Sequence, residues 1–218
     1  MTEISALLIN PISARMIPAF VPHGLLYIAS FVIKRGYGIA IYDRNIESDG
    51  IEHILRKFRP RVVGMGCLTG TVIDDTISVS KQIRNFDPSI KIVWGGIHAT
   101  HYPDSVFNNV FVDFVGVGDG EMAFPGLLDV IIAGKGRIEA VDNIGYKDGR
   151  KIKYTRRSFL ILDELPQPAW HLIKVENYIR KKFYANRVIT INTSRGCPYK
   201  CSFCCVPSIH RGKWRAVS

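Results

Sequence analysis

The sequence predicts a doubly wound α/β fold, with helices on both faces of a parallel sheet, and three observations carry this prediction. Short apolar runs alternate with helix-like segments over roughly the first 135 residues. The 218 residues are 47% apolar, which allows a sizeable core and excludes the disordered and fibrous classes. The loops after the predicted strands are rich in glycine. Because ligands bind at the carboxyl ends of the strands in such sheets, we expect the function to reside in these loops.

Each predicted strand is a short apolar run, and each predicted helix lies between two of them. The strands are residues 4–9, 38–42, 62–65, 90–94 and 113–117. The helices are residues 24–34, 51–58, 72–85 and 121–133, with a short turn near 104–108. The second and third helices end close to Pro60 and Pro88, which disfavour a continuing helix. No glycine-rich phosphate fingerprint follows the first strand, so a nicotinamide or flavin dinucleotide is disfavoured.

After the last predicted helix the pattern changes. An Asp-Gly pair at 148–149 is a strong turn signal between strand-like runs at 143–146 and 151–154, which predicts a small appended hairpin. A proline-interrupted stretch at 158–173 then predicts an extended linker that packs through Trp170.

The chain therefore divides into three parts. We expect the doubly wound domain at 1–139, the hairpin and proline-containing linker at 140–185, and a cysteine-containing segment at 186–218. The last part opens on a β-branched run at 187–193, which is typical of a buried strand and leads into the cysteine loop.

The positive charge is concentrated at the end of the chain. Residues 140–218 contain 16 Lys and Arg against 5 Asp and Glu, whereas residues 1–139 contain 13 against 14. This asymmetry fits a solvated basic face, a surface that meets another domain, a nucleic-acid face or a site for anionic small molecules. The basic residues are dispersed and lack interleaved aromatic residues, so we expect no nucleic acid as a partner.

No apolar run approaches the roughly 20 residues that a membrane span requires, and the first residues lack the pattern of a signal peptide. We therefore expect a cytoplasmic protein that makes no contact with a membrane.

Four cysteines lie within nine residues of the chain. Cys197, Cys201 and Cys204 have C-x3-C-x2-C spacing on a loop that is predicted to follow a strand. Thiols this close together cannot join distant parts of a fold, so metal or redox chemistry is the better interpretation. Three thiolates on so short a loop can ligate three irons of a [4Fe–4S] cluster, which leaves the fourth iron open to an external ligand.

Two alternatives to the iron–sulfur cluster stay open. In a zinc site Cys205 or His210 would complete a tetrahedral set, although zinc loops more often use two separated C-x2-C pairs. The other alternative is a group of free buried thiols, to which four cysteines in nine residues are poorly suited. We expect Cys205, like the isolated Cys67, to be a small packed residue.

The cysteine triplet, with Phe203 before its last member, resembles the cluster loop of the radical S-adenosylmethionine enzymes, and residues 194–198 resemble the lead-in to that loop. Upstream segments resemble the Rossmann- or flavodoxin-like cobalamin (B12)-binding domain that precedes the radical domain in one subgroup of that family. These segments are residues 22–27, 67–71, 94–100, 118–121 and 165–171. The resemblance covers essentially the whole chain and identifies it as the N-terminal portion of such a protein.

Two departures from the family accompany this resemblance. The first-strand loop lacks the Asp-x-His-x-x-Gly of many cobalamin domains, so no histidine is expected there as a lower ligand of cobalt. Residues 186–218 are also far fewer than the ~200 that a barrel-like radical domain needs, so the expected part is only its first βα unit.

The resemblance implies three cofactors: a [4Fe–4S] cluster on Cys197, Cys201 and Cys204, S-adenosylmethionine, and cobalamin. It further implies radical chemistry, commonly methyl transfer, on a small-molecule substrate, with an external electron donor such as ferredoxin or flavodoxin. The residues that it implies as cofactor contacts are Thr69, Gly70, Thr71, Gly95, Gly96, His98, Gly118, Glu121 and Phe203. The catalytic residues stay unassigned, and the residues that would contact the substrate lie on later barrel strands in this family.

Structural alternatives accompany these contacts. Thr69 and Thr71 are also suited to cap the helix that begins near residue 72, and glycines at 95 and 96 would equally serve a tight turn. His98 and His101 would also fit a polar surface. For the whole chain, the alternative function is a non-catalytic corrinoid- or zinc-binding module. A transfer-RNA-modifying role is disfavoured because no RNA-binding module is recognised.

Overall fold

Five parallel strands form most of the sheet, because each is a short apolar run that the fold buries. The strands are β1 Ile4–Asn10, β2 Gly38–Asp43, β3 Val62–Gly66, β4 Lys91–Gly95 and β5 Phe114–Gly116. They belong to a computed structural model that describes residues 3–13 and 19–218. The strands lie in the order β2-β1-β3-β4-β5, so the direction of winding reverses between β1 and β3.

Helices cover both faces of this sheet. They are α1 His23–Lys34, α2 Ile51–Phe58, α3 Val72–Phe86, α4 Gly96–His101, α5 Pro103–Phe107 and α6 Gly120–Ile131. Successive residues of β1 point to opposite faces, so Leu8 packs with α1 and α6 whereas Leu7 packs with α2 and α3. Burying a leucine contributes roughly 1.5–3 kcal/mol, and both faces of the sheet therefore stabilise the fold.

The doubly wound fold is confirmed, and the predicted elements agree with the observed ones within one or two residues. Helix α4 is an addition that the sequence did not predict. Gly95 and Gly96 are poor helix formers and indicated a loop. In the structure Gly96 has φ +89°, and this turn directs the chain immediately into the short helix.

The predicted hairpin is present, but it is part of the sheet and not an appended ribbon. Its strands are β6 Ile144–Asp148 and β7 Lys151–Tyr154. Strand β6 pairs antiparallel with β5, so that within the described residues the sheet has seven strands. Gly145 allows β6 and β7 to pair closely, because a Cβ at this position would lie 2.7 Å from the ring of Tyr154.

The linker packs on the domain as predicted. Trp170 packs against the core that contains α1 and α6, and the backbone N–H of Ala169 donates to the carbonyl oxygen of Leu26. Short 3-10 turns replace regular elements here, at Leu162–Glu164, Trp170–Leu172 and Val175–Tyr178.

Two small hairpins follow the linker. Their elements are β8 Arg180–Lys182, β9 Ala185–Val188, β10 Ser194–Gly196, α7 Val206–Ile209 and β11 Trp214–Ala216. The prediction of a buried strand at 187–193 is wrong, because only its first two residues belong to β9 and Ile191 is 69% exposed. A β-branched run is buried only where other elements cover it, and in the described part of the chain β9 pairs with β8 alone.

Among the helices of the described residues, none has the length and apolar character needed to cross a membrane.

Candidate functional site

A cavity of about 820 Å³ lies at the carboxyl ends of the parallel strands. Four strands end at its wall, in Asn10, Gly66, Gly95 and Gly116. This edge includes the reversal of strand order between β1 and β3, where open α/β sheets bind ligands. The cysteine-containing segment contributes another part of the wall, through Asn192, Ser194, Arg195, Gly196, Val206 and His210. The volume of the cavity is in the range of small-molecule and cofactor sites.

Glycines at the strand ends leave room beside the backbone. A Cβ at Gly95 would meet no atom within 4 Å, and one at Gly66 would meet a single side-chain atom at 3.9 Å. A flat ligand can therefore lie against these backbones without displacing protein atoms. Apolar side chains continue the wall, with Phe124 buried and Leu68 and Ile97 partly exposed. These side chains would exclude water from a ligand held there.

Two of the predicted contacts are glycines because the backbone itself requires them. A Cβ at Gly96 would lie 2.9 Å from the carbonyl oxygen of Cys67, and the φ of +89° at Gly96 disfavours any other residue. Gly118 has φ +99°, and a Cβ there would lie 3.2 Å from Nε of Arg157. The tight-turn alternative is therefore confirmed for Gly96, while Gly96 and Gly118 both line the cavity.

Thr69 and His98 bring two predicted loops together outside the cavity. Thr69 Oγ1 lies 3.3 Å from Nδ1 of His98, which joins the loop after β3 to α4. Burial lowers the pKa of His98, and the nearby His101 lowers it further. The cavity lining, within the described residues, includes neighbours of these side chains but not Thr69, Gly70, Thr71 or His98 themselves.

The alternative role of Thr71 as a helix cap is wrong. Thr71 occupies the N-cap position of α3, but its side chain makes no capping hydrogen bond. Its φ of −59° and ψ of −20° are already helical, whereas a capping residue is typically extended. Thr71 is exposed, and its side chain makes no capping hydrogen bond to α3.

Two buried carboxylates beside the cavity pair with two arginines of the β10–β11 hairpin. Arg195 Nη2 donates to Glu121 Oε1 at 2.5 Å, and Arg195 Nη1 lies 3.5 Å from Asp119 Oδ1. Arg215 Nη1 donates to Asp119 Oδ2 at 2.7 Å. The carboxylates are 6% and 3% exposed, so each needs such a partner. We call Asp119, Glu121, Arg195 and Arg215 the carboxylate–arginine cluster.

The carboxylate–arginine cluster sets the charge state of Asp119 and of Arg195. Burial by itself would raise the pKa of Asp119, but hydrogen bonds from Arg215 and the Leu160 backbone N–H, with the charges of both arginines, hold that pKa below its ordinary value. Burial likewise opposes the charge of Arg195, and Glu121 more than compensates, so the pKa of Arg195 is raised. Asp119 and Arg195 are therefore both charged at neutral pH.

The three cysteines predicted to ligate the [4Fe–4S] cluster lie on one irregular loop. Cys197 and Cys204 are half-buried, Cys201 is exposed, and none of the chain's cysteines forms a disulfide. The backbone N–H of Cys204 donates to the carbonyl oxygen of Cys201 at 3.1 Å, which closes a turn. Within the described residues the structure does not gather three metal-ligating side chains at one point. The segment between β10 and α7 contains neither strand nor helix, so the thiols can converge without breaking either.

Predictions for the remaining residues of this region have different outcomes. Cys205 is exposed at the N-cap position of α7, so the prediction of a packed residue is wrong for it. Cys67 is buried as predicted, and burial raises the pKa of its thiol to about 11. Phe203 is 90% exposed and contacts no core.

Two histidines lie at the cavity wall, of which His23 was not predicted as a site residue and His210 was considered only as a ligand of the alternative zinc site. His23 begins α1, its Nε2 lies 3.2 Å from Thr190 Oγ1, and its ring meets the edge of Trp170. His210 follows α7, and its Nδ1 lies 3.2 Å from Nη2 of Arg215. Burial lowers the pKa of both imidazoles, which keeps them neutral near pH 7.

Comparison with known proteins agrees with this architecture. Residues 18–128 match the B12 binding domain family. The chain is 31% identical over 204 residues to an uncharacterized methyltransferase of Pyrococcus horikoshii, covering 90% of this chain and 43% of that protein. It is 27% identical over 232 residues to cytidylyl-2-hydroxyethylphosphonate methyltransferase of Streptomyces wedmorensis, covering 84% of this chain and 43% of that protein. The chain thus spans less than half the length of these relatives.

The fold is also that of a solved enzyme structure. The cobalamin-dependent S-adenosylmethionine radical enzyme OxsB, with aqua-cobalamin and S-adenosylmethionine bound, superimposes with a TM-score of 0.77 at 20% sequence identity. The match covers 99% of this chain and 30% of the OxsB chain. At this identity the likeness shows the shared fold.

Proposed function

Since the chain belongs to the B12 binding domain family, we propose that it holds cobalamin in the cavity at the carboxyl edge of its sheet, as part of a cobalamin-dependent radical S-adenosylmethionine methyltransferase. The observation that carries this proposal is that most of the residues that line the cavity lie within the part of the chain that matches the family. The glycine backbones of its wall fit a large flat ring such as a corrin, because a Cβ at Gly95 would fill the space that the ring needs.

The residues of the wall would hold the cofactor in different ways. Gly66, Gly95 and Gly116 offer backbone surface, whereas Leu68 and Ile97 cover the ligand and exclude water. Thr69, Gly70, Thr71 and His98 lie outside the wall, where we propose that they meet parts of the cofactor that extend beyond the cavity. Cobalamin, when bound, supplies methyl-transfer chemistry.

We further propose that Cys197, Cys201 and Cys204 hold a [4Fe–4S] cluster and that S-adenosylmethionine binds at its open iron, next to Phe203. Soft thiolates at this spacing suit iron, and their loop is irregular enough to let them converge. When bound, the cluster supplies the electron that cleaves S-adenosylmethionine. Gly196, which immediately precedes Cys197, lines the cavity, so the two cofactors would be neighbours. The electron donor, such as ferredoxin or flavodoxin, and the small-molecule substrate belong to the same proposal.

Anaerobic reconstitution of the full chain tests both halves of the proposal separately. Protein incubated with hydroxocobalamin and passed through gel filtration should retain one corrinoid per chain, detected by visible absorbance. Protein treated with iron and sulfide should retain iron and sulfide in equal amounts. Loss of all corrinoid on the column would contradict the cobalamin site, and uptake of one zinc in place of iron would favour a zinc-binding module.

A further inference from the structure

The carboxylate–arginine cluster joins the two regions that the proposed function needs. Asp119 is the N-cap of α6 and Glu121 lies in its first turn, whereas Arg195 and Arg215 face each other across β10 and β11. We propose that this cluster positions the cysteine loop against the cavity and thereby couples corrinoid binding to metal binding by the cysteines. This inference rests on the proposed function.

The carboxylate–arginine cluster lies next to both the cavity and the cysteine loop. Asp119, Glu121 and Arg195 themselves line the cavity. Arg195 is also two residues before Cys197, the first of the three predicted iron ligands. The side chain of Arg195 therefore contacts the carboxylates beside the cavity, while the backbone of Arg195 leads into the cysteine loop.

The hairpin depends on the two carboxylates. Arg195 and Arg215 are direct partners in the antiparallel ladder, where two like charges repel each other. Both side chains are largely buried, at 18% and 14% exposure, so water cannot screen this repulsion well. Asp119 contacts both arginines and Glu121 pairs with Arg195, so the two carboxylates offset the repulsion within the hairpin.

Docking of the hairpin fixes where the cysteine loop begins. A Cβ at Gly196 would lie 2.0 Å from the carbonyl oxygen of Lys213, so the backbone just before β11 lies directly against the backbone just before Cys197. Gly196 has φ +88°, a conformation that only glycine adopts readily. The direction in which the chain enters the metal loop is therefore set by the same hairpin that the carboxylates hold.

Two ligands that order the same hairpin favour each other. A corrinoid in the cavity would contact the wall that includes Asn192, Ser194 and Arg195, and a metal cluster on Cys197 would order the residues that follow. Whichever ligand binds first orders the hairpin, so the second binds with a smaller entropic loss. By linkage, each ligand must raise the affinity of the other by the same factor.

The coupling is measured as the ratio of two dissociation constants for hydroxocobalamin, that of the protein without iron divided by that of the protein loaded with iron and sulfide. Hydroxocobalamin is titrated anaerobically into the full chain before and after loading with iron and sulfide. We expect at least about five-fold tighter binding to the loaded protein. In Glu121→Gln this ratio should fall close to one, because Arg195 loses its nearest carboxylate. The matched control is Glu176→Gln, which breaks an exposed pair with Arg187 and should leave the ratio unchanged.

A second variant separates coupling from folding. In the double variant Glu121→Leu with Arg195→Met both charges are removed together, so no unpaired buried charge remains to destabilise the protein. It should unfold at a temperature close to that of the wild-type chain, yet its ratio should also be near one. Arg195→Lys keeps the charge without the planar fork and should give an intermediate ratio.

The possible outcomes distinguish this inference from the function on which it rests. If the wild-type chain binds both corrinoid and iron but with a ratio of one, or if Glu121→Gln and the double variant keep the wild-type ratio, the coupling is overturned and the proposed function stands. If the wild-type chain binds no corrinoid or no iron, the proposed function and the coupling are both overturned.

Discussion

The phenol of Tyr178 donates a hydrogen bond of 2.7 Å to the carboxylate of Asp43, a residue 135 positions earlier in the chain. Tyr178 and Asp43 are 3% and 2% exposed, so neither can exchange this partner for water. Burial raises the pKa of Tyr178, and the adjacent Asp43 raises it further, so the phenol remains a donor at any physiological pH. The bond attaches the end of the linker to the end of β2, beside the cavity edge of the sheet.

Removing this hydroxyl should destabilise the protein. Tyr178→Phe leaves the Asp43 oxygen without its donor in a buried site, which should lower the free energy of unfolding by about 1–3 kcal/mol. Urea denaturation measures this difference. Tyr184→Phe is the control, because the Tyr184 side chain is 65% exposed and its change should have little effect. Equal stability of the two variants would contradict the role assigned to the Tyr178–Asp43 bond.

The turn at Gly96 should not accept a side chain. Gly96→Ala combines a φ of +89° with a contact of 2.9 Å to the carbonyl oxygen of Cys67. Strain of this kind costs about 1–3 kcal/mol, which thermal or urea unfolding would detect. Gly50→Ala serves as the control, because Gly50 has an ordinary φ of −67° and open space around it. If Gly96→Ala is as stable as Gly50→Ala, the backbone explanation for this glycine is wrong.

Stability should fall as the pH decreases through the range in which free histidine takes up a proton. Burial lowers the pKa of His23, although a hydrogen bond with Thr190 opposes this in part. Below about pH 6.5 the unfolded chain therefore binds a proton that the folded chain does not, and the folded state loses stability. Above that pH both states are neutral and His23 contributes no pH dependence.

His23→Gln should make this decline shallower between about pH 7 and pH 5, because one of the histidines with a lowered pKa is removed. His98 and His210 would still contribute to the remaining slope. The control His171→Gln changes an exposed histidine. Identical slopes for the wild-type chain and His23→Gln would show that His23 does not stay neutral in the folded protein.

The cysteine spacing predicts which thiols bind iron. After anaerobic treatment with iron and sulfide, Cys201→Ala should retain much less iron per chain than the wild-type protein, because two thiolates cannot hold the cluster. Cys205→Ala should retain the wild-type amount. Both side chains are exposed, so neither substitution disturbs the core. Iron retention that depends on Cys205 and not on Cys201 would require a different ligand set.

Local patterns were enough to predict the five parallel strands of the sheet, whereas metal binding by the cysteine loop stays a prediction. Helix α2 has the predicted bounds because its apolar residues recur at helical spacing and Pro60 follows its end. The cysteine triplet is visible because its members are adjacent in sequence. By contrast, α4 was hidden by the two glycines before it, and the strand predicted at 187–193 lacks the neighbours that would bury it.

Contacts between distant residues could not be predicted in this way. Arg195 and Asp119 are 76 positions apart, and Tyr178 and Asp43 are 135 apart, so no periodicity relates them. One signal was available for the first pair. The acidic residues 119 and 121 lie in a glycine-rich stretch that follows a predicted buried strand, and the excess of basic residues lies at the other end of the chain. Buried carboxylates need such partners, so these arginines were candidates.

The central claim is that the cavity at the carboxyl edge of the sheet holds cobalamin, and Gly95→Leu tests it most directly. Gly95 has extended backbone that any residue adopts, and a Cβ there meets no protein atom, so leucine should fill the cavity without unfolding the chain. Gly50→Leu places the same side chain in open space outside the cavity. The measurement is the dissociation constant of hydroxocobalamin for each protein. We predict equal binding by the wild-type chain and Gly50→Leu, and binding weaker by at least about ten-fold in Gly95→Leu. Unchanged binding by Gly95→Leu, or no binding by the wild-type chain, would contradict the claim.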